Sequence, residues 1–326
     1  MNKNKFMKNI FLFLFIAVLC VSCKHDASFE KEISKIDVSV AVERFDLAFA
    51  HAKPNDLSSL KDAFPFMFSK KYVDSFWVAK MQDTLQLELN SEVEKIYPNL
   101  NSVEGELKSF FQHMKYYFPE FKIPRLVSAT SFVDYRNKVI VTDTISLISI
   151  DTYLGSEHPF YNGIQKYLAA NFTEDQIVVD FASKYAENYI FPKQNKTFLE
   201  EMIFFGKQLY FKDIMIPFKT DSQKIGYSEE QLNWSKANEG QIWSYFVENE
   251  LLFSTDFDLP NRFINPAPFS KFKLVEIDQE SPGRIGQYIG WQIVRAYMKN
   301  NNVSLKEMLT DNAEEIFNKS NFKPEL

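Results

Sequence analysis

The sequence predicts an α+β fold, a single helix-rich domain with a small antiparallel sheet. Over most of the chain, apolar residues recur every three or four positions, which is the period of an amphipathic helix. One stretch, residues 125–151, instead carries three short β-branched runs separated by polar turns, as in an antiparallel meander. The chain has 33 Phe and 15 Tyr against only 9 Gly, which indicates an aromatic core and few glycine-rich loops.

The first globular segment begins with a predicted strand, because Ile36, Val38, Val40 and Val42 alternate with polar residues. Helical spacing then predicts helices over residues 56–71, 74–97 and 103–118, with the three strands after them. From residue 159 onward helices dominate again. Five prolines interrupt them: Pro192, Pro217, Pro260, Pro266 and Pro268.

The N-terminus has the pattern of a secretory signal peptide over residues 1–22. Three lysines precede an apolar run of about a dozen residues, which is too short for the ~20 that a spanning helix needs. Cys23 follows the small residue Ser22 directly, as in a bacterial lipoprotein signal whose cysteine becomes the lipidated first residue. The alternative is an ordinary cleaved signal with an incidental cysteine. We therefore expect a lipidated Cys23 with a flexible tether over residues 23–35, and one globular domain over residues 36–326.

Lipidation at Cys23 predicts stable attachment to a membrane. Each buried methylene contributes ~0.8 kcal/mol, so two or more acyl chains anchor a protein that one chain holds only marginally. No later segment has the pattern of a second membrane span. The formal net charge of −6 argues against nucleic acid as a partner.

Several common enzyme classes lack their sequence signatures. The four histidines are far apart in sequence, so none has the helical spacing that zinc ligands usually share. No Gly-x-Ser-x-Gly nucleophile elbow and no phosphate-binding glycine loop is present. An acylated Cys23 would leave no thiol for nucleophilic catalysis.

Four segments nevertheless concentrate polar residues beside apolar or glycine-rich sequence. Residues 150–161 carry Glu157 and His158 after a predicted strand, which suits a ligand pocket or, alternatively, a structural turn. Residues 196–210 form an apolar helix with Glu200, Glu201 and Lys207. Residues 236–246 begin with Glu239 and continue as an aromatic helix.

The fourth segment is residues 281–298, SPGRIGQYIGWQIVRAYM. Gly286 and Gly290 lie about one helical turn apart, which predicts close approach of a neighbouring backbone. Arg284 and Arg295 are its cations. Arg284 joins Glu157 and His158 as a candidate pocket residue.

The chain resembles the gliding-motility lipoprotein B (GldB) family of gliding Bacteroidetes bacteria over nearly its whole length. The resemblance rests on the lipoprotein signal and on ordered segments including DTYLGSEHPFY, MIFFGKQLYFKDIMIP, NEGQIWSYFVEN and SPGRIGQYIGWQIVRAYMKNN. It implies a palmitoylated, membrane-anchored lipoprotein of the cell envelope. The residues KHDA after Cys23 do not form an acidic export tag, which favours the periplasmic side. The resemblance also implies a role in gliding motility, in support of the type IX secretion and surface-adhesin machinery.

The same layout is similar to a wider group of predicted zinc peptidases. Their His-Glu-x-x-His motif falls on residues 200–204, where Glu201 keeps the place of the catalytic base. Glu200 and Phe204 replace the two histidines, and Glu239 stands where a third ligand would be. Zinc hydrolysis needs such ligands and one open position for water, so the resemblance implies a degenerate peptidase body without metal, cofactor or catalysis.

Two alternatives remain open at this point, a metal-dependent envelope peptidase and a solute- or peptide-binding lipoprotein. Descent from a peptidase would place Glu200, Glu201 and Glu239 in one cleft, with Lys207 and Arg284 nearby. Either Arg284 or Arg295 could then pair with Glu201 and Glu239. A binding lipoprotein would instead need a sizeable pocket with convergent polar groups.

Overall fold

A computed structural model describes residues 29–191 and 196–325. It is helix-rich with one small sheet, which confirms the α+β class. The predicted signal peptide and Cys23 lie outside the described residues. Over the described ranges, no helix is both long enough and apolar enough to cross a membrane.

The helices α1 to α16 and the strands β1 to β4 follow in chain order. The helices are Phe45–His51, Leu57–Ala63, Asp74–Met81, Thr84–Ile96, Asn101–Tyr117, Lys166–Ala169, Ile177–Tyr189, Phe198–Met215, Asp221–Ile225, Glu229–Ala237, Glu239–Glu248, Leu259–Phe263, Val275–Glu280, Ile285–Asn300, Leu305–Thr310 and Ala313–Ser320. The strands are Val42–Arg44, Arg125–Ala129, Val139–Val141 and Ile145–Ser149.

The sheet is mixed, which corrects the expectation of an antiparallel meander. Its order is β1-β2-β4-β3, with β1 and β4 both parallel to β2 and only β3 antiparallel to β4. The three strands of residues 125–151 were predicted in the right places, but β4 lies between β2 and β3.

The loop after β2 is bonded to the residues that follow β4. The buried Asp151 carboxylate accepts hydrogen bonds from the backbone N–H groups of Ser131 (3.0 Å) and Val133 (2.7 Å). Phe132 and Val133 both adopt positive φ of 58° to make these bonds possible. These bonds join the loop after β2 to the residues that follow β4, and β4 pairs directly with β2 while β3 forms the edge. Short-range alternation of apolar residues carries no sign of this long-range bond.

Two of the predicted helical stretches are divided. Residues 74–97 form α3 and α4, because Asp83 leaves the helix and its side chain accepts from Gln86 N to cap α4. Residues 56–71 form only α2 and a short 3₁₀ turn at Pro65–Met67. The third helix, predicted over residues 103–118, begins two residues earlier as α5.

The N-terminal segment also differs from the expectation. The predicted strand over residues 36–42 is reduced to β1, which begins at Val42. Residues 29–33 are helical rather than a free tether, and Ile33 is only 2 % exposed. The Gln112 amide holds this segment against α5 by donating to the carbonyls of Ser34 and Ile36, each at 2.9 Å.

Apolar side chains cover both faces of the sheet. In β2, Leu126 belongs to the larger core and the adjacent Val127 to a smaller, phenylalanine-rich core under α1 and α2. Successive residues of a strand point to opposite faces, so a strand buried on both sides reads as a continuous apolar run.

The larger core is built around the pair of helices α8 and α14. A Cβ added to Gly290 would lie 1.8 Å from the carbonyl oxygen of Met202, and one added to Gly206 would lie 2.3 Å from that of Gly290. The two backbones therefore touch, which confirms the close approach predicted from Gly286 and Gly290. Gly286 makes a similar contact with the Phe263 carbonyl, where a Cβ would lie at 3.0 Å.

Candidate functional site

A polar cavity of about 620 Å³ opens where β3, α7, α8 and the start of α14 meet. Five charged side chains line it, and amides, hydroxyls and aromatic rings complete the wall. The charged residues are Lys138, Asp180, Lys212, Lys224 and Arg284. Its uncharged polar residues include Asn171, Gln176, Gln208, Tyr227, Ser228, Gln231, Asn265 and Gln287. A volume of this size is typical of small-molecule sites.

Among the described residues that line the cavity, Asp180 is the only one with a carboxylate. Its Oδ2 lies 2.5 Å from Lys138 Nζ and accepts a hydrogen bond from the Tyr153 hydroxyl at 2.8 Å. Lys138 also lies near the rings of Tyr153 and Phe172, which favour a cation above their faces. Lys138 and Asp180 therefore form a compensated pair at one wall.

Lys212 has no such compensation. Its Nζ donates to the carbonyl oxygen of Lys224 at 2.8 Å, and its side chain pairs with no carboxylate of the described residues. Burial lowers the pKa of Lys212 to about 7. Asp180 and Asp213 act against this shift, whereas the positive charges of Arg284 and Lys138 add to it.

Arg284 stands directly before α14 in a left-handed conformation, with φ of 63°. Such a backbone costs free energy in a non-glycine residue and marks a position held by its surroundings. The guanidinium donates to the Gly226 carbonyl at 3.0 Å and lies over the Tyr227 ring at 5.3 Å. Burial lowers the pKa of Arg284, with Tyr227 and Asp180 opposing the shift.

Gly283 allows the chain to reach this position. A Cβ there would lie 2.1 Å from the carbonyl oxygen of Ala267, so no other residue fits without displacement. The Tyr227 hydroxyl donates to the Gly283 carbonyl at 2.6 Å. The segment before α14 is thus fixed from two sides, and Arg284 is held at the cavity wall.

Lys224 belongs to a neutral network behind the cavity. Its Nζ lies 3.0 Å from Asp213 Oδ1, and Arg295 binds both Asp213 and Asp221 at 2.7–2.8 Å. The Trp291 indole N–H also donates to Asp213. Arg295 therefore pairs with these aspartates and not with Glu201 or Glu239, as the sequence had suggested.

The buried charge of Lys212 should give the free energy of unfolding a distinctive pH dependence. The unfolded lysine stays protonated up to pH 10.5, whereas the folded one loses its proton near pH 7. The unfolded state thus binds more protons between these values, so stability rises with pH across this window and the full cost is present below pH 7.

We expect Lys212→Met to remove this rise of the free energy of unfolding with pH, because methionine carries no charge to bury. Urea unfolding of both proteins at pH 6.5 and pH 9 provides the measurement, with the wild type gaining more stability than the variant. Parallel changes in the two proteins would show that Lys212 is not the source.

Of the predicted peptidase positions, Glu200 serves as a helix cap. Its Oε2 accepts from the backbone N–H groups of Thr197 (2.8 Å) and Lys196 (2.7 Å), while Thr197 Oγ1 accepts from Glu200 N. Partial burial opposes the effect, but these hydrogen bonds lower the pKa of Glu200. This capping box starts α8.

Glu239 is buried at a different junction. It accepts from the Tyr288 hydroxyl at 2.8 Å and from the backbone N–H of Glu325 at 3.1 Å, joining α11, α14 and the C-terminal segment. Burial raises the pKa of Glu239, although both hydrogen bonds oppose the shift. Its partner is thus a tyrosine rather than Arg284.

The remaining motif positions lie on α8. Glu201 is half-buried, and Phe204 packs edge-on against Phe205 at 5.3 Å. Lys207 points to the carbonyl oxygens of Phe191, Leu309 and Asp311 rather than to the glutamates. Across residues 29–191 and 196–325, no group of three or more His, Cys, Asp or Glu side chains could hold a metal ion. Among these described residues, Glu200, Glu201 and Glu239 therefore form no such metal-binding group.

Of the three predicted pocket residues, only Arg284 lines the cavity. His158 starts a short 3₁₀ turn, where its Nδ1 accepts from Phe160 N and its Nε2 lies 3.4 Å from Glu92. Glu157 is exposed. Sequence reasoning missed Lys138, Asp180 and Lys212. A lysine inside the apolar stretch that forms α8 was the signal that could have pointed to Lys212.

The sequence model of one protein family, described as "Gliding motility protein GldB", matches residues 26–324. That range includes every residue that lines the cavity. Neither the curated proteins nor the solved structures contain a match to this chain.

Proposed function

The chain belongs to the gliding motility protein GldB family, and on that premise we propose that it is a non-catalytic, lipid-anchored component of the gliding apparatus. The family match over residues 26–324 is the observation that carries the proposal. The match covers nearly all of the described residues, so the proposal concerns this part of the chain.

The anchor that we propose is an acylated Cys23, which places the protein in the cell envelope. The apolar run before Cys23 and the small residue beside it support this assignment. We propose further that the body faces the periplasm and supports the type IX secretion and surface-adhesin machinery. Partners from that machinery would then contact the globular body directly.

The non-catalytic part of the proposal rests on what the motif positions do. Glu200 caps a helix and Glu239 binds a tyrosine hydroxyl and a backbone amide, so both carboxylates serve local structure. Phe204 has no lone pair to offer a metal. These motif positions therefore support a metal-dependent envelope peptidase less well than a non-catalytic component.

The cavity favours a second function, that of a solute-binding lipoprotein. It combines charged and amide groups with aromatic rings in a volume suited to a small molecule. The two functions are compatible, because a motility component can be regulated by a ligand.

A chromosomal Cys23→Ala replacement tests the anchor. We expect the folded protein to leave the membrane fraction and gliding to be lost, because the acyl chains are the proposed attachment. Membrane fractionation and the spreading of colonies are the measurements. Membrane association that survives both the substitution and a high-salt wash would contradict lipidation.

A matched Glu201→Gln strain tests the absence of catalysis. The substitution keeps the shape of the side chain and removes the carboxylate that a peptidase would use as its base. Gliding should stay at the wild-type level. A folded, membrane-bound Glu201→Gln protein in non-gliding cells would restore the peptidase reading.

A further inference from the structure

We propose that the cavity lined by Lys138, Lys212 and Arg284 binds a small molecule through its phosphate group. This site goes beyond the proposed role in motility and stands on the charges of the cavity alone. The phosphate could belong to an organic phosphomonoester or be inorganic phosphate itself.

The charges of the cavity do not balance. Lys224 is neutralised by Asp213, which leaves three cations facing the single carboxylate of Asp180. Lys138 pairs with that carboxylate, so Lys212 and Arg284 remain without an acidic partner in the described part of the chain. Both donate to backbone carbonyls, at 2.8 Å and 3.0 Å. Buried charges are costly unless they are paired, and a bound anion would pair them.

A phosphate monoester matches this surplus in charge and in hydrogen bonding. It carries about −1.5 to −2 charges near neutral pH and three strong acceptor oxygens. Lys212 keeps spare N–H donors beyond its bond to the Lys224 carbonyl. The Arg284 guanidinium has five N–H groups and donates to one carbonyl, so it too keeps spare donors. The cavity also lies at the first turn of the 16-residue helix α14, whose N-terminus favours an anion.

The rest of the lining suits the organic part of a phosphomonoester. The cavity is much larger than a phosphate ion, which leaves room for an attached group. Tyr135, Phe172 and Phe205 offer aromatic surface, and the neighbouring amides offer hydrogen bonds. Anion binding would also raise the depressed pKa of Lys212 and so take up a proton.

Calorimetric titration of the full-length lipidated protein in detergent, at pH 6.5 and constant ionic strength, tests the proposal. The probes are phenyl phosphate, inorganic phosphate and benzoate. We expect phosphate binding and much weaker binding of benzoate, which carries a single charge. Tighter binding of phenyl phosphate than of methyl phosphate, a further probe of similar charge, would identify an ester with a sizeable organic group as the ligand. Equal binding of these two esters would show that the cavity recognises the phosphate group alone.

Variants assign the binding to the cavity. Lys212→Gln and Arg284→Gln should each weaken phosphate binding by about tenfold or more, because each removes charge-assisted hydrogen bonds. Lys212→Arg, which keeps the charge, should retain most of the affinity. Lys184→Gln, in an exposed pair with Glu187 on α7, is the matched control and should change nothing.

Three results would overturn the proposal. They are the absence of phosphate binding by the wild type, equal affinity for benzoate, and unchanged affinity in Lys212→Gln. Because Arg284 also supports the start of α14, Arg284→Gln is scored only if its circular dichroism matches the wild type. Lys212→Gln, which removes no residue of special backbone conformation, decides the test if Arg284→Gln does not fold.

Discussion

Replacing Gly290 by leucine is expected to destabilise the protein by about 3 kcal/mol or more, at or above the upper end of overpacking costs in protein cores. Even one added carbon would lie 1.8 Å from the Met202 carbonyl oxygen, and that oxygen belongs to the backbone of α8. A backbone cannot rotate away as a side chain can, so the helices α8 and α14 must separate. The shift of the urea midpoint measures the effect.

A pair of alanine variants separates this contact from the general cost of changing a glycine. Gly290→Ala should destabilise, whereas Gly105→Ala should stabilise by about 0.5–1 kcal/mol, because Gly105 lies in helix α5 with no atom near a new Cβ. The same chemical change would thus act in opposite directions. Similar midpoints for wild type and Gly290→Leu would show that the helices do not touch as described.

Lys207→Met is expected to cost about 3 kcal/mol of stability, since it removes three hydrogen bonds from one buried ammonium group. Lys207 is 2 % exposed, and its Nζ donates to the carbonyls of Phe191 (2.8 Å), Leu309 (3.1 Å) and Asp311 (2.6 Å). Burial lowers the pKa of Lys207 to about 8 despite the nearby Asp311 charge. Methionine fills much of the space but leaves the carbonyls without this donor.

The control for this variant is Lys319→Met on the exposed end of α16. Lys319 pairs with Glu315 near the surface, and such pairs contribute little to stability. The free energies of unfolding of Lys207→Met and Lys319→Met, measured by urea denaturation, should therefore differ by most of the loss expected for Lys207→Met. Equal stabilities would mean that Lys207 is not the link between α8 and the segments at Phe191 and Leu309.

Local pattern predicted three helices before the sheet, the helical character of the chain after it and most strands, because helical and strand periods depend on neighbouring residues. It predicted no helix over Phe45–His51. The break between α3 and α4 was missed although Asp83 is a typical capping residue, because apolar spacing continues across it. The parallel pairing of β2 with β4 is accompanied by a bond between Asp151 and the loop at Ser131, twenty residues apart. The spacing of apolar residues does not predict such a long-range contact.

The candidate site was harder to foresee than the fold. Arg284 stood out beside glycines, and the cavity does contain it. Lys138, Asp180 and Lys212 come from three separate segments and share no motif, so only folding brings them together. Glu200 and Glu239 were predicted as motif positions from their spacing. In the structure, Glu200 forms a capping box and Glu239 accepts a hydrogen bond from Tyr288.

If Cys23 is the lipid anchor that we propose, the packed N-terminal segment would set how far the globular body can stand from a membrane. Residues 29–33 are helical, and Gln112 holds the residues that follow against α5. An acylated Cys23 lies six positions before Phe29, and six residues span at most about 20 Å. The globular body would therefore be confined to the layer next to the lipid headgroups. A partner would then have to come to that layer, because the short connection between Cys23 and Phe29 would not let the globular body reach farther into the envelope.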